Sequence, residues 1–207
     1  MTHASLANAL VESGALKFGK FTIKSGIISP YYIDLTLLLS SPQDFEFVVD
    51  AVVEKIRTIR SSQKVDKLAS IALKGALFIP SIANKLDLPC VVVRKESKKY
   101  GVTGRIAGGN IEQGEHILFF DDLVSSGQSK LEGIKPLEQL GAKIDIVLVV
   151  IDREQGGREN LERLGYQFHA LATISELVHT LLKNNKISNK EAKIITDYMQ
   201  SLHTSWK

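Results

Sequence analysis

Short apolar runs that alternate with helical segments occupy the middle of this 207-residue chain, and they constrain its fold more than any other feature. Strands are predicted at residues 68–73, 90–93, 117–120 and 144–151, with helices at 77–86 and 129–140. Each strand is apolar throughout, so both of its faces should be buried under helices. Strands that alternate with helices usually pair in parallel. The pattern predicts an α/β fold with a central parallel sheet flanked by helices.

The two ends of the chain follow a different pattern. Residues 1–60 predict a short helix that stops at Gly14, a hairpin between residues 18 and 34, and a long amphipathic helix from Pro42. The tail adds a predicted strand at 168–171 and helices at 175–182 and 188–202. We therefore expect a single domain with an α/β core of residues 65–175. Residues 1–60 and the C-terminal tail would form a smaller accessory layer.

Composition excludes several classes of protein. With 44% apolar and 24% charged residues, the chain is neither disordered nor collagen-like. No segment approaches the roughly 20 apolar residues that span a bilayer, and the first residues lack the features of a secretory signal. The single cysteine, Cys90, cannot form an intrachain disulfide or a multi-cysteine zinc site, which is typical of a reducing compartment. We expect a cytoplasmic protein with no membrane partner.

The positive charge of the chain is concentrated in one segment. A net charge of +3 is small for a nucleic-acid-binding protein, but residues 94–105 hold five cations and one Glu. Gly101 and Gly104 lie in the same stretch, so we expect a mobile cationic loop that closes over a polyanion such as a diphosphate and excludes water. A solvated face is the alternative. Contact with RNA is disfavoured because the segment lacks several stacking aromatic residues.

The sharpest local signal follows the predicted strand 117–120. Asp121 and Asp122 stand at its end, before small hydroxyl residues and a glycine that opens a helix. Backbone N–H groups at a helix N-terminus bind an anion, and small residues let a phosphate approach closely. The aspartates would repel that phosphate but suit vicinal ribose hydroxyls, or a Mg²⁺ ion through water. The end of a parallel strand is where such folds bind ligands. The alternative is a solvated Asp pair at an ordinary turn.

Three further cations are weaker candidates. Arg153 follows the apolar run 144–151, where its planar guanidinium would face a carboxylate, although a surface turn is the alternative. Lys24 and Lys74 each follow an apolar stretch and either present an ammonium at a strand end or are merely exposed. The histidines show no metal-ligand spacing. No nucleophile elbow, Walker loop or dinucleotide fingerprint is present.

Together these motifs resemble a known family. Residues 119–127, with the sequence FFDDLVSSG, resemble the phosphoribosyl diphosphate signature of type I phosphoribosyltransferases. Residues 18–32, 94–101 and 152–157 resemble the corresponding segments of orotate phosphoribosyltransferases, and the motifs span residues 16–158. The resemblance implies the type I phosphoribosyltransferase fold, in which a small N-terminal α+β hood accompanies the central parallel sheet.

The resemblance also implies a reaction. 5-Phosphoribosyl 1-diphosphate and orotate would give orotidine 5'-phosphate and diphosphate, a step of pyrimidine nucleotide synthesis, with Mg²⁺ as cofactor. The cationic loop would complete the site of a neighbouring subunit, which implies a homodimer. No nucleic-acid partner is implied. Displacing diphosphate builds positive charge on the ribose and negative charge on the leaving group, so cations and carboxylates in these positions would stabilise the transition state.

By position, the resemblance assigns roles to individual residues. The aspartates would hold the ribose hydroxyls. Residues 125–129 would bind the 5'-phosphate. The loop cations and Lys74 would bind the diphosphate. Lys24, Tyr32, Ser125 and Arg153 would surround orotate. The implied catalytic residues are Arg94, Lys98, Asp121 and Asp122. The implied substrate-binding residues are Lys24, Tyr32, Ile33, Leu73, Lys74, Arg94, Lys95, Lys98, Tyr100, Asp121, Asp122, Leu123, Val124, Ser125, Ser126, Gly127, Gln128, Ser129 and Arg153.

Three departures limit this transfer, and one further residue is unexplained. Tyr100 stands where many relatives have His, and Ser70 replaces a common Gly. Gln128 occupies a position that is often a second Gly, so a positive φ there would shift the phosphate contacts. Pro136 lies inside the predicted helix 129–140 and should kink or break it, with no evident functional reason.

Two other functions compete with orotate transfer. A phosphoribosyltransferase for another base would share the fold, but two cations such as Lys24 and Arg153 suit a carboxylated pyrimidine better than a neutral base. A non-catalytic regulatory protein would keep the phosphoribosyl site and be expected to lose the loop lysines, whereas this chain has Lys98.

Substitution of Lys98 by Ala should cause the largest single loss of catalysis. Its ammonium is expected to stabilise charge that develops on the leaving diphosphate, so Lys98→Ala should cost about 2–4 kcal/mol of transition-state stabilisation. Steady-state kinetics with 5-phosphoribosyl 1-diphosphate measure this loss. Nearly full turnover in the variant would contradict the role.

Overall fold

The computed structural model describes residues 3–22, 26–98 and 104–204, without the side chains of residues 97, 98, 203 and 204. Two compact units are present. The larger unit is Val49–Leu171, and the smaller one joins the residues up to Val48 with those from Ala172 onward. The expected single domain, with its core at 65–175, stays a prediction.

The described residues form alternating helices and strands. The helices are α1 (His3–Glu12), α2 (Pro42–Arg60), α3 (Ile79–Leu86), α4 (Gln128–Gln139), α5 (Gly157–Arg163), α6 (Ile174–Lys183) and α7 (Asn189–Thr204). The strands are β1 (Leu16–Thr22), β2 (Ile28–Ile33), β3 (Lys67–Ile71), β4 (Cys90–Lys98), β5 (Gly104–Ala107), β6 (His116–Val124), β7 (Lys143–Asp152) and β8 (Gln167–Thr173). None of the described helices combines the length and apolar character needed to cross a membrane.

The smaller unit contains the predicted hairpin. Strands β1 and β2 pair antiparallel, and α7 packs against β2 while α1 packs against α6. The ring of Tyr31 is fully buried and meets the edge of Tyr198, with the ring centroids 6.0 Å apart. Helix α6 begins with a capping box between Thr173 and Glu176, which satisfies two backbone N–H groups at its first turn.

The larger unit is built on a six-stranded sheet with the strand order β5-β4-β3-β6-β7-β8. β3 pairs in parallel with β4 and β6, and β6 pairs in parallel with β7. All five residues of β3 are buried, and all but two of the nine residues of β6 are. The apolar strands are therefore covered on both faces, which confirms the prediction of a largely parallel sheet between helices.

Helix α4 packs very closely on β6. A Cβ atom added to Gly133 would lie 2.5 Å from the ring of Phe119, so only glycine allows this approach. Phe119 itself is fully buried. The start of α4 is thereby held beside the end of β6, where the Asp pair lies.

The cationic segment differs from the prediction of one mobile loop. Strand β4 does not stop at residue 93 but continues to Lys98, and Gly104–Ala107 form β5, which pairs with β4 antiparallel. The sheet is therefore parallel only in part. β4 continues past residue 93 because Lys98 pairs with Gly104, and because the side chains of Arg94 and Arg105 donate hydrogen bonds between the two strands. This is a tertiary effect that local apolar patterning does not reveal. Residues 99–103 lie outside the description.

Two local predictions about helices were also wrong or incomplete. Of the kink or break expected at Pro136, the break does not occur, because helix α4 continues through this residue to Gln139. The carbonyl of Glu132, four residues earlier, accepts a hydrogen bond from Arg105 instead. Helix α5 was not predicted, because seven residues are too few to show a clear apolar period.

Candidate active site

A cleft of about 210 Å³ opens where the carboxyl ends of the parallel strands β3, β4 and β6 meet. Open parallel sheets bind ligands at this edge because loops from neighbouring strands converge there. The lining residues are Ile71, Ala72, Leu73, Lys74, Lys95, Asp121, Asp122, Leu123, Ser129 and Lys130. Most of these residues belong to the set that sequence motifs predicted.

Asp121 is held inside the protein by a buried ion pair. Its Oδ2 lies 2.6 Å from Nζ of Lys130, and the two side chains are 6% and 5% exposed. Oδ1 accepts a hydrogen bond from the backbone N–H of Asp122 at 2.9 Å. Removing one partner of such a pair would leave an uncompensated buried charge, which is strongly destabilising.

Asp122 has a different environment from its neighbour. Adjacent strand residues point to opposite faces, and Oδ2 of Asp122 is buried without a hydrogen-bond partner among the described residues. Burial and the nearby charge of Asp121 raise the pKa of Asp122 to about 7, against the opposing effects of Lys130, the Leu123 N–H and Lys74. An unsatisfied buried oxygen in a cleft is suited to accept hydrogen bonds from a ligand hydroxyl.

The loop after β6 leads directly into α4. Gly127 has φ 85° and precedes the helix, while Gln128 is already its first helical residue. The expected difficulty of placing Gln128 at a positive φ does not arise, because Gly127 takes that conformation. The free N–H groups at the start of this 12-residue helix can therefore face an anion beside Ser125 and Ser126.

Helix α5 supports this loop from behind. Nδ2 of Asn160 donates to the carbonyl of Ser126 at 3.0 Å. A Cβ atom at Gly157 would overlap the carbonyl of Ser125 and would lie 2.5 Å from Val124 Cγ2. Glycine at 157 is thus required by close packing, whereas Gly156 has open space around it and a φ of 80°, which favours glycine.

Arg153 reaches the same loop from the end of β7. Its Nη1 donates to Oγ of Ser125 at 3.3 Å, and its backbone N–H donates to the carbonyl of Val124 at 3.0 Å. The preceding Asp152 is buried and receives a hydrogen bond from Nε of Arg158. The structure therefore brings together Arg153 and Ser125, as the sequence motifs predicted.

The turn after β3 also lies close to Asp121. A Cβ atom on Gly75 would overlap Oδ1 of Asp121 and lie 2.5 Å from Oγ of Ser70. Ser70 is buried, and its Oγ has no hydrogen-bond partner among the described residues. Lys74 precedes this glycine, whereas the side chain of Leu73 is largely exposed. The close approach at Gly75 brings the Lys74 turn to the carboxylates.

The cations of β4 are only partly described. Lys95 lines the cleft, and Nη1 of Arg94 donates to the carbonyl of Gly104 at 3.2 Å. The side chain of Lys98 and the whole of Tyr100 lie outside the described residues. Their assigned roles stay predictions.

The predicted orotate residues near the N-terminus belong to the smaller unit. Tyr32 is partly exposed and packs near Phe21, with ring centroids 5.6 Å apart, and Ile33 is buried on β2. Lys24 lies outside the described residues. The gathering of these residues around one ligand stays a prediction.

Comparison with known proteins agrees with the motifs and the cleft. A family model described as a phosphoribosyl transferase domain matches residues 41–163, more than half of the chain. A curated orotate phosphoribosyltransferase of Sulfolobus acidocaldarius is 34% identical over 191 residues, which are 92% of this chain and 94% of the relative. The chain belongs to the orotate phosphoribosyltransferase family.

Solved structures of the family have the same fold. The orotate phosphoribosyltransferase of Aeropyrum pernix matches with a TM-score of 0.73 and 27% identity over 88% of this chain and 99% of that one. A UMP synthase structure from Leishmania donovani matches with a TM-score of 0.85 and 30% identity, covering 97% of this chain but 43% of that one. The predicted type I phosphoribosyltransferase fold is confirmed.

Lys130 is a residue of this cleft that the sequence did not reveal. It lines the cleft and neutralises Asp121, yet it stands inside the apolar face of a helix, where a lysine usually snorkels to solvent. Its spacing from Asp121 gives no signal, because the two are brought together only when α4 packs on β6. Sequence reasoning could have found it only as a cation at a predicted core position.

The two aspartates should respond oppositely to neutralisation. A raised pKa means that the folded chain holds a proton on Asp122 more tightly than the unfolded chain does. The free energy of unfolding should therefore fall as pH rises from about 4 to about 7. Asp122→Asn should remove this slope and stabilise the protein at about pH 8 by roughly 1–3 kcal/mol.

Asp121→Asn is the matched variant and should destabilise. It leaves Lys130 as a buried unpaired cation, at a cost of about 3–5 kcal/mol. Urea unfolding of both variants between pH 5 and 8 measures the difference. Equal effects of the two substitutions would contradict the different environments of the carboxylates.

Proposed function

We propose that this protein transfers the 5-phosphoribosyl group of 5-phosphoribosyl 1-diphosphate to orotate, producing orotidine 5'-phosphate and diphosphate in pyrimidine nucleotide synthesis. The observation that carries the proposal is the unsatisfied carboxylate oxygen of Asp122, in one cleft with Lys74 and Lys95. Carboxylate and cations together match a ligand that combines ribose hydroxyls with a diphosphate. Membership of the family and the near-complete match to a curated relative support the same substrates.

The proposed roles follow from the positions of charge. Asp122 would accept hydrogen bonds from the ribose hydroxyls, with Asp121 behind it. The N–H groups at the start of α4 and the hydroxyls of residues 125–129 would hold the 5'-phosphate. Lys74, Arg94, Lys95 and Lys98 would face the diphosphate, whose negative charge grows as the bond to the anomeric carbon breaks.

Catalysis in this arrangement needs no covalent nucleophile. As diphosphate leaves, positive charge develops on the ribose and can be stabilised by the carboxylates, while cations stabilise the leaving oxygens. Both interactions strengthen toward the transition state, which is the condition for a gain in rate. Exclusion of water protects the reactive ribose until the base attacks.

Mg²⁺ fits this cleft as an ion carried mainly by the substrate. The described residues contain no cluster of three or more His, Cys, Asp or Glu able to hold a metal, and Asp121 is already paired with Lys130. Mg²⁺ prefers oxygen ligands. The diphosphate of the substrate and water molecules would supply most of them. When bound, the ion would neutralise part of the leaving-group charge.

Arg153 is the proposed residue for recognising the acceptor base. Its contact with Ser125 directs the guanidinium toward the phosphate loop rather than away from the site. Pairing with the carboxylate of orotate would distinguish it from uracil or a purine, which lack that group. A phosphoribosyltransferase for another base is the second candidate.

The only cysteine, Cys90, favours a reducing compartment, so we place the reaction in the cytoplasm.

The acceptor is tested by the loss of orotate absorbance with 5-phosphoribosyl 1-diphosphate and Mg²⁺, with uracil, adenine and hypoxanthine in parallel. Orotate-dependent turnover is expected. Arg153→Met should raise KM for orotate by roughly thirtyfold, equivalent to about 2 kcal/mol for a lost charge-assisted pair. Arg57→Met, which removes an exposed arginine paired with Glu54 on α2, is the control. Turnover with another base alone would overturn the choice of acceptor.

We also propose a homodimer in which the cationic segment of one subunit completes the site of the other through Lys98. Mixing two inactive variants tests this arrangement. A subunit with Lys98→Ala should no longer complete the site of its neighbour, although its own Asp122 is intact. A subunit with Asp122→Asn should lose its own site, although it can still supply Lys98 to its neighbour. Activity should therefore appear when the two variants are mixed and allowed to exchange subunits, because one site of the mixed dimer is intact. An inactive mixture with demonstrated subunit exchange would contradict sharing.

A further inference from the structure

The pairing between β4 and β5 is interrupted beside the cleft. Val93 is opposite Ile106 and Lys98 is opposite Gly104, so residues 94–97 of β4 stand opposite Arg105 alone. An excess of residues on one strand bulges that strand and changes the direction of its side chains. The bulge contains Arg94 and Lys95, two of the proposed diphosphate residues. Something other than the regular ladder must hold it in place.

Arg105 supplies a hydrogen bond that replaces part of the missing ladder. Its Nε donates to the carbonyl of Arg94 at 2.9 Å, and Nη1 of Arg94 donates to the carbonyl of Gly104 at 3.2 Å. The two arginines thus tie the bulge to β5 on both sides. Arg105 itself does not line the cleft described above.

The same guanidinium is tied to α4 through a carbonyl that a proline has released. Pro136 has no N–H, so it cannot donate to the carbonyl of Glu132 one turn earlier. Nη2 of Arg105 donates to that carbonyl at 3.2 Å. Pro136 is buried, and its missing N–H leaves the carbonyl available to the arginine. The side chain therefore joins the bulge to the helix whose first residues form the phosphate loop.

We propose that Arg105 is a positioning residue for the phosphoribosyl site, and that Pro136 makes this role possible by freeing the carbonyl of Glu132. Arg105 holds the bulge of β4 at a set distance from α4. Lys95, which lines the cleft of its own subunit, and the 5'-phosphate loop at the start of α4 then keep one spacing. A single substrate carries both phosphate groups, so their spacing governs how well it binds. This inference rests on the proposed function.

An ordinary surface arginine would behave differently. Arg105 is only half buried, but two of its nitrogens donate to main-chain carbonyls of different elements, which restricts the side chain to one arrangement. Its charge is not needed for either contact, since carbonyls accept from any donor. Its effect on substrate should therefore depend on geometry more than on long-range attraction.

The test compares Arg105→Met, Arg105→Lys and Pro136→Ala with the wild-type protein. Binding of 5-phosphoribosyl 1-diphosphate is measured by calorimetry, without any acceptor base, alongside KM for each substrate and the melting temperature. Arg60→Met is the matched control, because Nη1 of Arg60 also donates to a main-chain carbonyl, that of Leu86, on helices away from the cleft. Failure of the proposed function would appear as absent orotate turnover in the wild-type protein, independently of the binding comparison.

Arg105→Met should weaken binding of 5-phosphoribosyl 1-diphosphate and raise its KM by about tenfold, the size expected for one lost hydrogen bond from a charged donor. KM for orotate should change little, and Arg60→Met should leave both values unchanged. Arg105→Lys should restore part of the loss, because an ammonium reaches only one of the two carbonyls. Unchanged substrate binding in Arg105→Met would overturn the proposal.

Pro136→Ala separates the proline from the arginine. Its new N–H competes for the carbonyl of Glu132, so the variant should show a smaller loss of binding without loss of helix stability. Combined with Arg105→Met it should add nothing further, because both changes act through one carbonyl. If the losses of binding caused by the two substitutions were fully additive, the proposed link between Pro136 and Arg105 would be overturned. If Arg105→Met does not fold, Arg105→Lys and Pro136→Ala decide the question by the same binding measurement.

Discussion

The buried ion pair between Lys130 and Asp121 is the interaction on which the site depends. It places a cation on the inner side of α4 against a carboxylate of β6, at the point where residues 125–127 connect the two elements. Because neither charge tolerates loss of the other in this position, the pair holds the helix in its register on the sheet. Asp122 is left with an unsatisfied oxygen beside the cleft.

Close packing then carries this arrangement to the surrounding loops. Gly133 lets α4 approach Phe119, Gly75 lets the Lys74 turn approach Asp121, and Gly157 lets the start of α5 approach Ser125. Each glycine is explained by a neighbouring atom rather than by its own backbone conformation. The short loops of the site are consequently held in place by close contacts that these glycines make with neighbouring helices and strands. A rigid scaffold supports binding residues on loops in this way.

The motifs predicted much of this from the sequence. Asp121, Asp122, residues 125–129 and Arg153 were identified because their residue types and their positions after apolar strands are local properties. Lys130 and Asn160 were missed, since their partners lie in other elements and no spacing in the chain connects them. Pro136 was misinterpreted for the same reason: local propensity predicts a broken helix, whereas a hydrogen bond from Arg105 compensates for the missing donor.

The sequence by itself determined the α/β class, the parallel core of the sheet and the type of ligand, because hydrophobic periodicity and short motifs are readable along the chain. Only the tertiary structure decided that residues 94–98 extend β4, that β5 pairs antiparallel at the edge, and that the two neighbouring aspartates have different environments. Strand pairing and burial depend on residues far apart in the chain. A pair of identical carboxylates therefore acquires two distinct environments only after the helix has packed against the sheet.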